Sequence, residues 1–402
     1  MRINLVKTVL AGIALIALAR IVAVLAFVGF VSERSLAEEF HQGILASRLV
    51  GPGGWDVTLL LAGILLLLYL GIKRLRASSL REMLAGIAPV VGLLFLAPWI
   101  GEYLLGNVPL GGLVAIPFLV PLYGGGALLI RETVRRSGRG YPAILVQGLA
   151  YGVIEAGLVD QSLFNSSFQG HDFHTVTYIP WLGTGAFHAM AFIFGHAIWS
   201  IAIPIVIVEL LTLKRRTTPW LGGKGLAATA ALYLFGCWII FQELQRTEGF
   251  LASPGQCIGA AALALVLIVL AFSCKERPAA SSSRRAPKPW IVGASTFVLV
   301  NAFFFRPENW LGVVLGLVFL GAAAMLLRGW SRREGWSPWH QYAVVAATLP
   351  TYMFAGFVLT AVIRPDDMMA WIGNIIFACA AAALLVLVAR RIRKCDSNQC
   401  IA

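Results

Sequence analysis

Charge is scarce in this chain. Only 13% of its 402 residues are Asp, Glu, Lys or Arg, while 59% are hydrophobic and the mean hydropathy is +0.81. Soluble domains carry about 25% charge, and no polar stretch here is long enough to fold as a soluble domain of its own. A second absence excludes nucleotide-driven machinery: there is no P-loop and no soluble domain to carry one. Cysteine is also sparse. The six cysteines (Cys237, Cys257, Cys274, Cys379, Cys395 and Cys400) make no CxxC or other ligand spacing. Four of them lie in or at the ends of apolar runs, where cysteine behaves as a small hydrophobe. Cys400 stands third from the end, whereas a prenylation signal needs its cysteine fourth. The sequence names no cofactor, and it assigns no metal centre.

What remains is a succession of apolar runs. A helix needs roughly 20 apolar residues to cross a bilayer. On that basis about twelve spans are expected, near residues 8–30, 57–72, 83–104, 109–130, 142–160, 183–213, 225–243, 256–273, 289–305, 309–327, 341–363 and 370–389. The fold class is therefore all-α, a polytopic transmembrane bundle. Lys and Arg set its orientation. With the N-terminus inside, only Arg34, Arg48, Arg246, Arg306 and Arg364 fall in outer loops and Arg20 falls inside the first span; the other 26 of the 32 fall on the inner side. Both termini are then cytoplasmic in a multi-pass protein of the cell membrane.

The same alternation disposes of nucleic acid as a partner. The net charge of +13 is an orientation signal facing anionic lipid, and the partner is the lipid bilayer. The first apolar run continues past Arg20 to Val31, too long for the core of a signal peptide, and is expected to remain as a span. The polar segment 274–288 reads as a flexible cytoplasmic linker. It separates an N-terminal eight-span block, 1–273, from a C-terminal four-span block, 289–402, with a basic tail.

Candidate chemistry is confined to the first block. Four of the six histidines, His171, His174, His188 and His196, follow closely on Glu155 and Asp160. Glu155 lies five residues before the outer end of its span, roughly 7–8 Å deep. His188 on the next, antiparallel span comes to nearly the same depth. His196 is roughly 12 Å deeper, so a direct contact with Glu155 requires a tilt or a kink, for which Pro204 and the length of 183–213 give grounds. An ionisable group at membrane depth marks a functional site by default. Gly148 and Gly152 form a GxxxG pair that permits close helix approach, and Glu155 projects from about the same face. A carboxylate held there beside histidine can act as general base on water. Glu102, in Trp99-Ile-Gly-Glu-Tyr103, can face the same cavity, and Asp160 caps the span in the headgroups. His171-Asp-Phe-His174 has i,i+3 spacing in a polar loop. Structural readings stand beside each: an interhelical hydrogen bond for Glu155, His188 or His196, and solvated loop side chains for His171 and His174. Pro89 and Pro98 in the third span, and Pro117, Pro121 and Gly124-Gly125-Gly126 in the fourth, read as broken helices of the kind tolerated where backbone lines a cavity.

Glu155 on one span, followed by Phe192-Ile-Phe-Gly-His196 on the next, resembles the CPBP (CAAX protease and bacteriocin-processing) intramembrane proteases. That family carries a Glu-Glu-x-x-x-Arg motif and then Phe-x-x-x-His. The likeness runs over about residues 145–205, where Ile154 and Ala156 flank Glu155, so the paired glutamate of the first motif and its arginine are missing. The resemblance implies that Glu155 activates the attacking water and that His196 stabilises the oxyanion. Two other classes stay open. A secondary transporter fits the span count and the broken helices, and a non-catalytic scaffold or lipid-binding subunit needs only the bundle. The substrate is unnamed.

Overall fold

A computed structural model describes residues 77–273 and 282–397. The chain separates into two compact units, Met1–Ile87 and Ala88–Ala402. Of the first only 77–87 are described, as helix, and apart from the first two residues of the first described span everything below concerns the second. The expected spans near 8–30 and 57–72, and Arg20, lie outside the described residues.

Nine helices among the described residues are long and apolar enough to cross a membrane. They are α1 (Gly86–Leu104), α2 (Leu110–Arg136), α3 (Tyr141–Val159), α4 (Ala186–Leu211), α5 (Gly223–Glu248), α6 (Pro254–Ser273), α8 (Trp310–Trp330), α9 (Pro338–Ile363) and α10 (Met368–Ser397). A shorter apolar helix, α7 (Pro289–Phe304), precedes α8. Each coincides with a range expected from hydropathy. Among the described residues strand is confined to two short ladders: Tyr178–Ile179 pairs antiparallel with Thr184–Gly185 in the α3–α4 loop, and Ser282–Arg285 pairs parallel with Arg333–Glu334.

Helix α4 is the hub. It packs on α1, α2, α3, α8, α9 and α10. Two apolar cores meet along it. One joins Leu93, Leu122, Ile144, Tyr151, Ile201 and Ile205; the other joins Ile100, Tyr103, Trp199, Ile203, Leu349 and Phe377. Trp199 is wholly buried, stacks face to face on Tyr352 at 4.2 Å and donates its indole N–H to the Thr348 carbonyl, fastening α4 to α9. By contrast α5, α6 and α8 leave most of their apolar side chains uncovered, with Leu234, Trp238, Ile258, Leu265, Leu317 and Met325 all exposed. Apolar exposure on this scale is unsustainable in water and ordinary against lipid tails.

Four of the inner helices are not regular. Wide π-helical turns occupy Trp99–Leu104 in α1, Val120–Gly124 in α2, Glu155–Val159 in α3 and His196–Ala202 in α4. Proline accompanies three of them. It has no N–H and its ring crowds the carbonyl four residues earlier, and Pro98, Pro121 and Pro204 lie just before, within and just after three of these turns. In α3 the turn closes through the Asp160 N–H, which donates to the Glu155 carbonyl at 2.9 Å, a span of five residues. π-Helical turns are rare and concentrate at functional sites.

Candidate functional site

The four wide turns carry Glu102, Tyr123, Glu155 and His196, and the structure brings these side chains together. Glycine contacts fix the register. A Cβ on Gly152 would lie 2.6 Å from the Ile193 carbonyl oxygen, and one on Gly148 would lie 3.1 Å from the Ala197 Cα. The backbones of α3 and α4 therefore touch at the GxxxG pair, as small-residue packing in membranes allows. Glu155 and His196 start on opposite sides of the Gly152–Ile193 contact. Helical side chains lean toward the N-terminus of their own helix, so on antiparallel helices these two lean toward each other. The result is an Nε2–Oε2 distance of 2.8 Å.

Around this pair the donors and acceptors form a chain. His196 Nδ1 lies 3.2 Å from the Ser200 hydroxyl. The Tyr123 hydroxyl is 2.5 Å from Glu102 Oε1 and 3.3 Å from Glu155 Oε1. The amide of the exposed Asn107 donates to the other Glu102 oxygen at 3.3 Å. The Tyr123 and Tyr151 rings flank the imidazole, with centroids 5.7 and 5.9 Å away. Gly101 lets α1 close over the cluster, since a Cβ there would lie 2.6 Å from the Ser200 Oγ and 3.3 Å from the Tyr123 ring. The pair is nearly sealed, with side-chain exposures of 15% for His196 and 5% for Glu155.

The cluster is not fully satisfied internally. Glu155 Oε2 sits at ion-pair distance from the imidazole but receives no in-line hydrogen bond, and the buried Tyr151 hydroxyl has no hydrogen-bond partner among the described residues. Buried polar groups are usually partnered, so the Tyr151 hydroxyl leaves hydrogen-bonding capacity beside the imidazole.

The other expected residues lie elsewhere. The loop after α3 folds back so that His188 Nδ1 sits 3.0 Å from the Phe173 carbonyl, with the ring packed against Phe173, Phe187 and Phe192 and not against Glu155. Asp160, half-buried just beyond α3, accepts from the Ser162 N–H at 2.8 Å. Burial first, and then the Glu155 carboxylate, push its carboxyl well above the usual range. His171 is exposed in the loop, against Phe173. His174 stacks on Tyr178 and contacts the Leu163 carbonyl at 3.2 Å. Among the described residues no three His, Cys, Asp or Glu side chains converge as metal ligands would.

Tyr123, Tyr151 and Ser200 are the members that sequence reasoning passed over. Tyr151 is four residues before Glu155 and Ser200 four after His196, so the helical i,i+4 rule finds both once the pair is chosen. Tyr123 sits between Pro121 and Gly124, the broken stretch of the fourth expected span.

A second polar cluster, at the opposite ends of α2 and α4, was also passed over. Glu209 and Arg131 are wholly buried. The Glu209 carboxylate accepts from Arg131 Nε at 3.1 Å, from Arg135 Nε and Nη2 at 2.9 and 2.6 Å, and from the Tyr141 hydroxyl at 2.8 Å. Arg131 also pairs with Glu132 at 2.5 Å and donates to the Arg215 and Arg216 carbonyls. Its guanidinium lies 3.5 Å from the Trp220 ring centroid, and Glu132 accepts the Trp220 N–H. This clasp ties the α4–α5 loop to α2.

Apolar helices closed around a buried carboxylate–imidazole pair define a multi-pass helical membrane protein. More particularly, the chain belongs to a family described as an uncharacterized membrane protein family, whose model matches residues 90–395. That match spans every element of the site. No curated protein and no solved structure matches the chain.

Proposed function

We propose that this protein is an intramembrane hydrolase in which Glu155 is the general base on water and His196 its electrostatic partner. The observation that carries the reading is the 2.8 Å contact between Glu155 and His196 across the Gly148/Gly152 seam. A carboxylate and an imidazole so placed take a proton from water and offer an N–H to developing negative charge, the division of labour that acyl transfer needs. It is also the division that the resemblance to CPBP proteases implies. Ser200 has the role of orienting the ring. The hydrogen bond at one imidazole nitrogen decides what the other carries, and Ser200 is packed under Gly101 too closely to bear a tetrahedral centre on its own oxygen.

The open hydrogen-bonding capacity at Tyr151 Oη weighs against a purely structural cluster, which would close on itself. A secondary transporter is the second reading, favoured by the proline-associated wide turns in α1, α2 and α4, which resemble the discontinuous helices of that class.

The test is substrate-blind. Purified protein in nanodiscs is incubated with native membrane extract in ¹⁸O-labelled water, and new carboxylates are sought by mass spectrometry. Labelled products are expected with wild type and not with Glu155→Gln. The absence of any Glu155-dependent label would end the hydrolase reading.

A further inference from the structure

The Tyr123 hydroxyl stands between two carboxylates, 2.5 Å from Glu102 and 3.3 Å from Glu155. A phenol carries one proton and two lone pairs. It can donate to one carboxylate only, and the second contact becomes a hydrogen bond only when that carboxyl group brings its own proton. Three groups so arranged hold a mobile proton, which can reside at either end without the phenol ever ionising.

The two ends differ in surroundings. Glu155 is buried against His196, with Tyr151 alongside and Asp160 near enough to interact by charge. Tyr233 and Cys237 stand behind Tyr151. Glu102 is half-buried, with Tyr103 and Tyr352 near enough to interact electrostatically, and its second oxygen accepts from the exposed Asn107 amide. One end of the array is thus sealed beside the imidazole, and the other reaches the surface of the bundle.

We propose that Glu155, Tyr123 and Glu102 form a proton relay connecting the buried carboxylate–imidazole pair to the aqueous margin near Asn107. In one transfer the Glu155 O–H bond breaks as a new O–H bond forms on the Tyr123 oxygen. Tyr123's original O–H bond breaks as one forms on Glu102. Glu155 is left as carboxylate, Tyr123 is unchanged, and Glu102 releases the proton to water. The 3.3 Å leg is the slower one, because it must shorten before the proton can cross. Tyr151, on the other flank of His196, lies outside the relay. The inference stands on this geometry alone and does not need the hydrolase reading.

The experiment is hydrogen–deuterium exchange of protonated carboxyl groups, followed by infrared spectroscopy on the full-length protein in nanodiscs between about pH 5 and about pH 9, above the ordinary carboxyl range. A carbonyl band abolished by Glu155→Gln reports the proton on Glu155. Tyr123→Phe keeps the ring that packs beneath Gly101 and removes only the hydroxyl. It is expected to slow exchange of that band by about tenfold or more, a barrier increase of about 1.4 kcal/mol. Glu102→Gln should slow it similarly, and Tyr151→Phe should leave it within about twofold, well under that step. Unchanged thermal transitions identify variants that remain folded. Exchange in both Tyr123→Phe and Glu102→Gln at the wild-type rate would overturn the relay, as would the absence at every pH of any band that Glu155→Gln removes. Either result leaves the ¹⁸O test of hydrolysis untouched, and failure of that test leaves the relay standing.

Discussion

Replacing Glu209 with Gln preserves the shape of the buried clasp and removes its charge. In the wild-type protein Arg131 and Arg135 are balanced by Glu132 and Glu209, and Glu209 alone accepts four hydrogen bonds. Arg131 retains Glu132 after the change. Arg135 loses its two charged contacts, since two of its guanidinium nitrogens are directed at Glu209, and the residue is only 7% exposed. Removing one partner of a buried ion pair strands the other charge, at a cost of about 3–5 kcal/mol. Since Arg135 keeps a bond to the Arg139 carbonyl, the lower end, about 3 kcal/mol, is expected. Reversible unfolding in mixed detergent and SDS micelles, followed by circular dichroism, measures this directly. A double variant, Arg135→Gln with Glu209→Gln, should lose less than the sum of the single changes, with a coupling of about 0.5–3 kcal/mol. A Glu209→Gln protein within about 1 kcal/mol of wild type would refute the reasoning, because such a small loss is characteristic of solvent-screened surface pairs.

Three further predictions concern packing and protonation. Gly152→Ala drives a methyl group into the Ile193 backbone, and overpacking of this kind costs about 1–3 kcal/mol; Gly259→Ala, with open space around it, is the matched control, and equal thermal transitions for the two variants would contradict the seam. Asp160 has a folded-state pKa raised above its ordinary value, so the folded protein holds that proton more tightly than the unfolded chain, and stability is lost as pH rises from the ordinary carboxyl range toward the raised value. Asp160→Asn, which keeps an oxygen for the Ser162 N–H, should therefore gain stability over wild type with rising pH across that interval; a pH-independent difference in melting temperature would count against it. Arg306, whose pKa burial lowers to about 10, donates to the Phe303 and Phe187 carbonyls and lies 4.2 and 4.3 Å from the Phe187 and Phe303 ring centroids. A lysine cannot reproduce that planar fork between two rings, and Arg306→Lys should lower stability by about 1–2 kcal/mol in the same micelle titration, the scale of one desolvated cation–π contact.

The bundle was legible in the sequence because apolar length alone signals a membrane helix, and each described apolar helix lies where hydropathy puts a span. Gly148, Gly152 and Glu155 were legible together, since small residues at helical spacing imply a close contact and a carboxylate beside that contact must face protein. The identity of the partner histidine was harder. Depth counting favours His188, whereas the opposed lean of side chains on antiparallel helices and the π turns at both residues join Glu155 to His196. Glu102 was visible as a candidate, but its route to the pair runs through Tyr123, which no spacing rule selects, because α1, α2 and α3 meet only in the tertiary fold. The Glu209 clasp was invisible for a different reason. Arginines at a span's end are the usual signature of an interface with lipid headgroups, and nothing local distinguishes those that turn inward.

That clasp also bears on how the chain is assembled. Arg135 and Glu209 are 74 residues apart, with α3, its long following loop and most of α4 between them. While α2 is being inserted its acidic partner has not yet been synthesised, so Arg131, Arg135 and Arg136 confront the translocation machinery together with only Glu132 to offset them. By the positive-inside rule these arginines count toward the orientation of α2 before Glu209 exists to pair with them. Synthesis of α4 then converts a temporary topological signal into a lock, and a chain interrupted before Glu209 would carry the signal without the lock.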